Sequence, residues 1–585
     1  MGVTIKMPLT FEVCFPEEEQ KSIDHYLKDL GKDMRLLMGS FLLGIKNSGS
    51  KFSGLTGFLP EYFSEANFQF ADSVYKRMVI FARENDFDIE SFEVLYPMSS
   101  LTYFEYVYDN PAEFDNKEYS REEFLDIEIN FFKAYTVFNQ KTITERGKDL
   151  AQNFKEYDIN GNLTNFFIGN NLHSFDITDY QINKVFYCQF LKAYSFFEFL
   201  ESFQGSEHLI KAFYNYYDVP NFKKYLHKLL GIVFPVLTAK REAQTEIHLE
   251  ADKQEELSLF IEKHIKLDDE RLTDFDFTKT RSYPLYKIDE GKYRIIYPLF
   301  VVEMIYKGLY FRFKDINATL PENQQLKNLY GIKNLEFSEQ YLLNQTLKKI
   351  FGNRFIQKSG KELDAEFEGA PDYYVRNGKR IFVFESKDVL LGKEIKQSTN
   401  YYEVLEKLKI TFVENEKGKA KAVLQLKDTI REILTQSLSF DKNAPSEKAH
   451  IYPILIVHYR MFNTPGMNKL IDGWFKNALT ILNEEGLNVE NVRSLIIIDM
   501  DTLIYNSHFF ETRKLSFEDC LLEYHSKYLN INLKNHRFKN QQQVDDIISE
   551  SYASFAHYLD NKIDDKYRRP KPTELLEKMI SVVTK

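Results

Sequence analysis

Three ionisable residues stand close together in the segment GAPDYYVRNGKRIFVFESKDVLLG, residues 369–392. Asp372 precedes one run of strand-forming residues, and Glu385 and Lys387 end a second run that is almost entirely apolar. Charges at the end of a buried strand cost stability unless something pairs with them. Two carboxylates can share one hard cation, and magnesium takes oxygen ligands at about 2.0–2.1 Å. The segment therefore predicts a divalent metal site with a lysine beside it.

A β-hairpin is the element that must position these groups. Asn-Gly is the strongest short-range signal for a two-residue loop, so residues 377–378 are the predicted turn. That register places Asp372 opposite Val383. Side chains alternate along a strand, so Glu385 and Lys387 share the face of Val383. Asp372 and Glu385 are then expected to be diagonal neighbours, with Cβ atoms about 7–8 Å apart.

A helix before the hairpin is expected to add a fourth group. It is predicted to begin at Asn334 or Ser338 and to end at Gly352. At helical spacing Glu339 belongs to an apolar stripe and therefore faces the interior, where it needs a cation or a donor. The metal or Lys387 would satisfy it. The other members of the stripe are Leu335, Leu342, Leu343, Leu347 and Ile350.

Pro371-Asp372 followed by Glu385-Ser386-Lys387 on an apolar strand resembles the PD-(D/E)xK nuclease superfamily, which has the restriction-endonuclease-like fold. The resemblance covers about residues 334–500. It implies that Asp372 and Glu385 bind Mg²⁺, with Mn²⁺ as a substitute, and that Lys387 orients or activates the attacking water. It also implies that Glu339 completes the metal shell.

Beyond these four residues, the resemblance to the superfamily includes one more position, Gln425. Gln425 lies where some branches of the superfamily place a glutamine on a helix. The RecB-like QxxxY pattern is not matched, because position 429 is Thr. Glu290-Gly291-Lys292 also fits Glu-x-Lys and is interpreted as a turn. The segment 363–368, in which acids alternate with apolar residues, is interpreted as a half-exposed strand. Glu366 or Glu368 assisting the metal is the alternative for this segment.

The surrounding pattern predicts a multidomain α+β protein. Residues 1–265 are mostly helical and are assigned to recognition or regulation, and 266–330 form a small connecting module with a hairpin turning at 289–291. Residues 331–585 are predicted to be an α/β restriction-endonuclease-like domain with a central mixed sheet and a C-terminal helical extension. Its expected elements are helices near 419–436 and 467–484 and strands at 451–458 and 494–500; such apolar strands indicate a sheet covered on both faces.

Composition bounds the class of protein. The chain has 585 residues, 43% hydrophobic and 28% charged, which is typical of a globular protein of several domains. Its three cysteines form no CxxC pair, and no signal peptide or run of about 18 apolar residues occurs, so a cytoplasmic protein without membrane partners is expected. The net charge is −11, yet residues 341–430 contain 17 Lys or Arg against 13 Asp or Glu, a local balance of +4.

A second group of acidic residues is an alternative candidate for a catalytic site. Asp499-Met500-Asp501-Thr502 follows an apolar strand and resembles the first motif of haloacid-dehalogenase-like phosphatases. That family needs further motifs on later strands, and the remaining chain is too short for them, so a strand ending in a polar turn is the preferred interpretation. No P-loop, GxGxxG, HExxH or GxSxG is present. The sequence therefore argues against nucleotide hydrolysis by a Walker motif, dinucleotide binding by a Rossmann fold, and the usual hydrolase nucleophiles.

These observations predict a Mg²⁺-dependent nuclease that hydrolyses phosphodiester bonds of nucleic acid, with DNA favoured over RNA. The catalytic residues are Asp372, Glu385 and Lys387. The architecture resembles prokaryotic effectors of antiviral or anti-plasmid defence, and the helical N-terminal region is the part expected to contact a partner protein or a second copy. Two alternatives stay open: a non-catalytic nucleic-acid-binding or scaffold protein that retains the fold, and an RNA-directed nuclease.

Overall fold

The computed structural model describes residues 7–45, 54–115, 117–153, 159–238, 246–250, 254–265, 271–364, 369–445, 448–531, 541–567, 569 and 573–584. Within these residues the chain is a mixed α+β protein, as predicted. Its helices dominate the first half, and its largest sheet lies in the second half. None of the described helices is both long and apolar enough to cross a lipid bilayer.

The first half is helical, in agreement with its apolar stripes. Two short strands, β1 (Met7–Pro8) and β2 (Phe92–Glu93), pair in parallel between the helices. The helices are α1 Phe11–Cys14, α2 Ile23–Leu27, α3 Lys32–Ile45, α4 Leu55–Tyr62, α5 Phe68–Glu84, α6 Pro97–Asp109, α7 Arg121–Asn153, α8 Ile159–Asn171, α9 Phe175–Thr178, α10 Ile182–Ser202, α11 Glu207–Tyr217, α12 Phe222–Thr238 and α13 Gln254–Glu262.

A small antiparallel sheet follows, with the hairpin that the sequence predicts. Strand β3 (Glu246–His248) pairs with β5 (Lys292–Ile295), which also pairs with β4 (Leu285–Asp289). Glu290 and Gly291 form the turn, with Gly291 at a φ of +67°, so Glu290-Gly291-Lys292 is a turn as interpreted. The adjoining helices are α14 Thr278–Ser282, α15 Pro298–Glu303, α16 Lys307–Thr319 and α17 Leu329–Gly331.

The second half contains a five-stranded mixed sheet in the order β10-β9-β8-β7-β6. β8 is its central strand; it pairs antiparallel with β7 and parallel with β9, and β9 pairs parallel with β10. The edge strand β6 pairs antiparallel with β7 and was not predicted from the sequence. The strands are β6 Ile356–Ser359, β7 Tyr373–Asn377, β8 Arg380–Lys387, β9 His450–Val457 and β10 Ile496–Asp499.

Helices cover both faces of this sheet, which confirms that prediction. Phe382 and Phe384 point to one face and pack against α18 and α25, whereas Ile381 and Val383 point to the other face, with α21, α22 and α23. The helices are α18 Asn344–Phe351, α19 Gly360–Asp364, α20 Lys393–Gln397, α21 Tyr401–Phe412, α22 Ala422–Leu434, α23 Met467–Glu484, α24 Met500–Glu511, α25 Phe517–Tyr524, α26 Gln541–Glu550, α27 Phe555–Lys566 and α28 Thr573–Val583.

The predicted register of the β7–β8 hairpin is wrong by one residue on each side of the loop. Asn377 pairs with Arg380, so Gly378 and Lys379 form the loop. Gly378 has a φ of +61°, and Lys379 is not among the residues with positive φ; glycine at the first loop position is the pattern of a type II′ turn. Tyr373 pairs with Phe384, and one step further along this register Asp372 lies opposite Glu385.

The helix that carries Glu339 also differs from the prediction. Residues Ile332–Leu343 form a π-helix that continues directly into α18. The wider π-helical turn changes which side chains face inward, and Leu335, predicted to lie in the buried stripe, is 45% exposed. Glu339 is half-buried. The stop at Gly352 is confirmed, since this residue follows α18 with a φ of +61°.

One hydrophobic core connects the helical half to the sheet. The same cluster contains α10 side chains such as Phe196 and the sheet residues Phe382 and Phe384. Buried ion pairs join the two halves as well: Lys396 of α20 is 2.8 Å from Asp176 and 2.6 Å from Asp276. The core therefore crosses the predicted boundaries near residues 265 and 330, which stay predictions.

Candidate functional site

The structure brings together the four residues that the sequence placed around a metal. Asp372 precedes β7 and lies within hydrogen-bonding reach of the carboxyl groups of Glu339 and Glu385. Glu385 is fully buried on the central strand. The Nζ atom of Lys387 donates to Oε2 of Glu385 at 3.1 Å. The site therefore combines the π-helix, the residue before β7 and the end of β8.

Two backbone contacts hold Asp372 in place. The amide of Ser386 donates to Oδ2 of Asp372 at 2.6 Å, so the carboxylate is tied to the strand that carries Glu385. The amide of Gly360 donates to the carbonyl oxygen of Asp372 at 2.8 Å. A Cβ atom on residue 360 would lie 3.1 Å from that oxygen, which explains a glycine at this close approach.

The surroundings of Glu339 and Glu385 contain too little positive charge to compensate for the burial of the two carboxyl groups. Burial, together with the neighbouring charge of Asp372, raises the pKa of Glu385 from 4.5 to about 8. Burial and the same carboxylate raise the pKa of Glu339 to about 9. Lys387 opposes both shifts without cancelling them. A protonated glutamate can donate to Asp372, so the carboxyl groups hold together by sharing protons when no cation is bound.

Lys387 keeps its positive charge in this pocket. Burial alone would lower its pKa, but the carboxylates of Glu385 and Asp372 outweigh burial, and the pKa of the ammonium group is raised above its usual range. Its side chain is 17% exposed, whereas that of Glu385 is fully enclosed. The ammonium group is thus a fixed cation at the edge of the site, able to stabilise negative charge that develops nearby.

The donor set fits a divalent cation in charge and in chemical type. With Glu339, Asp372 and Glu385 ionised and Lys387 protonated, the group carries a formal charge of −2, which one Mg²⁺ or Mn²⁺ would cancel. The Oε1 atom of Glu385 is buried and accepts no hydrogen bond from the residues that the structure describes. In the described part of the chain, however, no three or more His, Cys, Asp or Glu side chains are already spaced as a metal site. The carboxylates would have to give up their shared protons and separate to bind an ion.

Gln425, the fifth predicted residue, lies on α22, which packs against β8. Among the described residues, nothing donates to its buried Oε1 atom. Thr429, one helical turn further on, is buried, and its Oγ1 atom is also without a partner. The structure therefore places Gln425 beside the central strand but shows no hydrogen bond from it to Asp372, Glu385 or Lys387 within the described residues.

A second polar cluster behind the site was not found from the sequence. Ser386 and Asp388 alternate with Glu385 and Lys387, so they point to the other face of the sheet. Ser386 Oγ lies 3.0 Å from Nε2 of His458, a residue for which the sequence predicted only a core or surface role. Burial is the main cause that lowers the pKa of His458 to about 4, so the ring is neutral at physiological pH. The one feature of the sequence that could have indicated this cluster is the charged residue Asp388, which directly follows the buried strand β8.

Asp499 and Asp501, the acidic residues of the alternative candidate site, both form structural contacts. Asp499 ends β10 and caps α24 by accepting hydrogen bonds from Thr502, at 3.0 Å to its amide and 2.5 Å to its hydroxyl. Asp501 forms a buried ion pair with Lys192 at 2.6 Å. The predicted polar turn is absent from this described segment, because β10 runs directly into α24 and Asp499 is the residue that caps the helix. Glu366 and Glu368 lie outside the described residues, and the predicted strand over 363–368 is wrong at its start, because Leu363 and Asp364 belong to helix α19.

Comparisons of the chain with protein-family models, with curated proteins and with solved structures gave no match.

Proposed function

We propose that this protein is a divalent-cation-dependent nuclease that hydrolyses phosphodiester bonds, with DNA as the favoured substrate. The observation that supports this most is the convergence of three carboxylates and one lysine at the end of a central strand, with a net deficit of positive charge. Such a deficit is expensive for a purely structural cluster. Perturbed carboxyl pKa values of this kind are typical of functional sites.

The residues divide into two roles in this proposal. Glu339, Asp372 and Glu385 would hold the cation, which when bound supplies positive charge for the scissile phosphate and lowers the pKa of a bound water. Lys387 would stabilise negative charge on the reacting phosphate, because its ammonium group is charged and partly accessible. The backbone amide of Ser386 donates to one oxygen of the Asp372 carboxylate and keeps that carboxylate aligned with the strand.

The test is cleavage of DNA with and without Mg²⁺. We expect the purified protein to cut supercoiled or linear DNA in Mg²⁺ or Mn²⁺ and to be inactive in EDTA, with Asp372→Asn and Lys387→Met inactive in every condition. Lys292→Met is the matched control, since Lys292 ends another Glu-x-Lys sequence but is 51% exposed at the start of β5. Single-stranded RNA, offered in parallel, tests the RNA-directed alternative. Equal cleavage by wild type and both site variants would refute the proposed site.

A second candidate function is a non-catalytic nucleic-acid-binding or scaffold protein. One observation favours it: within the described residues the carboxylates are not already spaced as a metal site. In that case the lysine, the shared protons and the amide of Ser386 are the compensation for the acids among the described residues. Calorimetric titration with Mn²⁺ separates the two functions, because the nuclease must bind the ion at Asp372 and Glu385 and the scaffold need not.

A further inference from the structure

Asp388 connects the strand of the candidate site to the helix that carries Glu339. It follows Lys387 at the end of β8, and its side chain is almost completely buried on the opposite face. Lys333 Nζ donates to Oδ1 of Asp388 at 2.5 Å. Ser338 Oγ donates to Oδ2. Both oxygens of one carboxylate are thus bound by the π-helix.

The π-helical geometry explains why two residues five apart reach the same carboxylate. In an α-helix each residue turns by about 100°, so Lys333 and Ser338 would point about 140° apart. In a helix with i→i+5 hydrogen bonds, two residues that are five apart in the chain are about one turn apart, so their side chains lie near each other on the same side of the helix. The segment Ile332–Leu343 is such a helix. Asp388 therefore binds side chains that only the π form aligns, and this binding favours the π form.

Glu339 follows Ser338 directly, so the hydrogen bond from Ser338 to Asp388 fixes the part of the helix that carries Glu339. Leu335, which α-helical spacing also places inside, is exposed, whereas Leu342 and Leu343 are buried and Glu339 meets Asp372 and Glu385. The connection from Glu339 to Glu385 is short: one peptide unit to Ser338, one hydrogen bond to Asp388, and three residues back along β8. That path ties the helix position of Glu339 to the strand position of Glu385.

We propose that Asp388 is a positioning residue, which clamps the π-helix to β8 and thereby keeps Glu339 beside Asp372 and Glu385, where the three carboxylates can bind one divalent cation. This proposal rests on the proposed function, because it assigns Asp388 a role in that metal site. A structural role alone, a buried ion pair with Lys333, would affect stability but not the spacing of the ligands.

The experiment measures Mn²⁺ binding by electron paramagnetic resonance of the free ion, beside thermal unfolding, on the full chain. We expect Asp388→Asn to weaken Mn²⁺ binding about tenfold or more, and Ser338→Ala, which removes one hydrogen bond and keeps the ion pair, to weaken it about threefold. Amide hydrogen exchange in residues 332–343 should accelerate in both variants. Asp560→Asn is the control: Asp560 forms a largely buried ion pair with Lys184 at 2.6 Å, on α27 and α10. It should lower the unfolding temperature and leave the Kd for Mn²⁺ within twofold.

The outcomes are distinct. Wild type that binds no Mn²⁺ overturns the proposed function and this proposal with it. Wild type that binds Mn²⁺ while Asp388→Asn and Ser338→Ala bind it equally well overturns the positioning role alone. Loss of binding in the control that matches the loss in Asp388→Asn also overturns it, because general destabilisation would then account for both. If Asp388→Asn does not fold, Ser338→Ala decides by the same measurements.

Discussion

Replacing Glu385 with glutamine should stabilise the metal-free protein at alkaline pH. The amide imitates the protonated acid, and Glu385 is fully buried. Its pKa rises from 4.5 to about 8 in the folded protein, a difference of about 3.5 pH units. At 1.36 kcal/mol per unit this corresponds to about 5 kcal/mol as the largest effect of ionising the buried acid.

The sign follows from proton linkage. The folded protein keeps the proton of Glu385 up to about pH 8, whereas the unfolded chain loses it near pH 4.5. The wild-type stability from this group is therefore complete below pH 4.5 and is lost as pH rises to about 8. The difference between Glu385→Gln and wild type should be near zero at pH 4.5 and grow by about 1.4 kcal/mol per pH unit. Glu339 titrates in both proteins, and because the charge of Glu385 also raises the pKa of Glu339, the variant loses that part of the Glu339 shift as well.

Urea unfolding in EDTA between pH 5 and 8.5 measures this difference. Trp474, the single tryptophan, packs beside the core on the face of the sheet that carries Glu385, so its fluorescence reports on unfolding there. Glu303→Gln is the control with the opposite sign. Glu303 is also buried, and although burial raises its pKa, Lys307, Arg460 and Arg281 lower it below its usual value. That variant should be less stable than wild type throughout this range.

The reasoning fails in two ways that the titration can show. A Glu385→Gln protein less stable than wild type at pH 8.5 would mean that the ion pair with Lys387 outweighs burial. A difference that does not change with pH would mean that Glu385 does not titrate in this range. Either result would remove the charge deficit from which a cation site is inferred.

Three further predictions concern the same region. Mg²⁺ at about 100 times its Kd should stabilise wild type by about 2.7 kcal/mol at pH 8 in thermal unfolding, and Asp372→Asn should abolish the gain; an equal gain in the variant would place the ion elsewhere. Lys387→Met should reduce cleavage about 100-fold or more while calorimetry shows Mn²⁺ binding retained; lost binding would make the lysine structural instead. Gly378→Ala should cost about 1–2 kcal/mol in urea unfolding, since its φ is +61° and no atom lies within 4 Å of the added methyl group; an unchanged midpoint would contradict the turn geometry.

The convergence of Asp372, Glu385 and Lys387 could be predicted because side-chain alternation is robust. The predicted loop was wrong, yet its correction moved the facing residue of Asp372 from Val383 to Glu385, a shift of two residues. A shift of two keeps every side chain on its face, whereas a shift of one would have separated the acids. The choice between Asn-Gly and Gly-Lys as the loop depends on backbone angles that composition does not determine.

The π-helix and its clamp could not be predicted for a related reason. Apolar spacing was interpreted with the α-helical period, and that period puts Leu335 inside and leaves Lys333 and Ser338 on different sides. What stabilises the wider turn is the carboxylate of Asp388, which lies about fifty residues away in the chain. Strand β6 escaped prediction because Ile356–Ser359 is short, lies at the sheet edge and lacks apolar alternation.

The ion pairs between Lys396 and the aspartates of the helical half have a consequence for dissecting the protein. Expressed alone, residues 331–585 would keep Lys396 without Asp176 and Asp276 and would uncover part of the core shared with α10. An apolar surface uncovered in this way favours aggregation. We expect the fragment to aggregate or to need its missing half added in trans, so truncation is a poor route to an active minimal version.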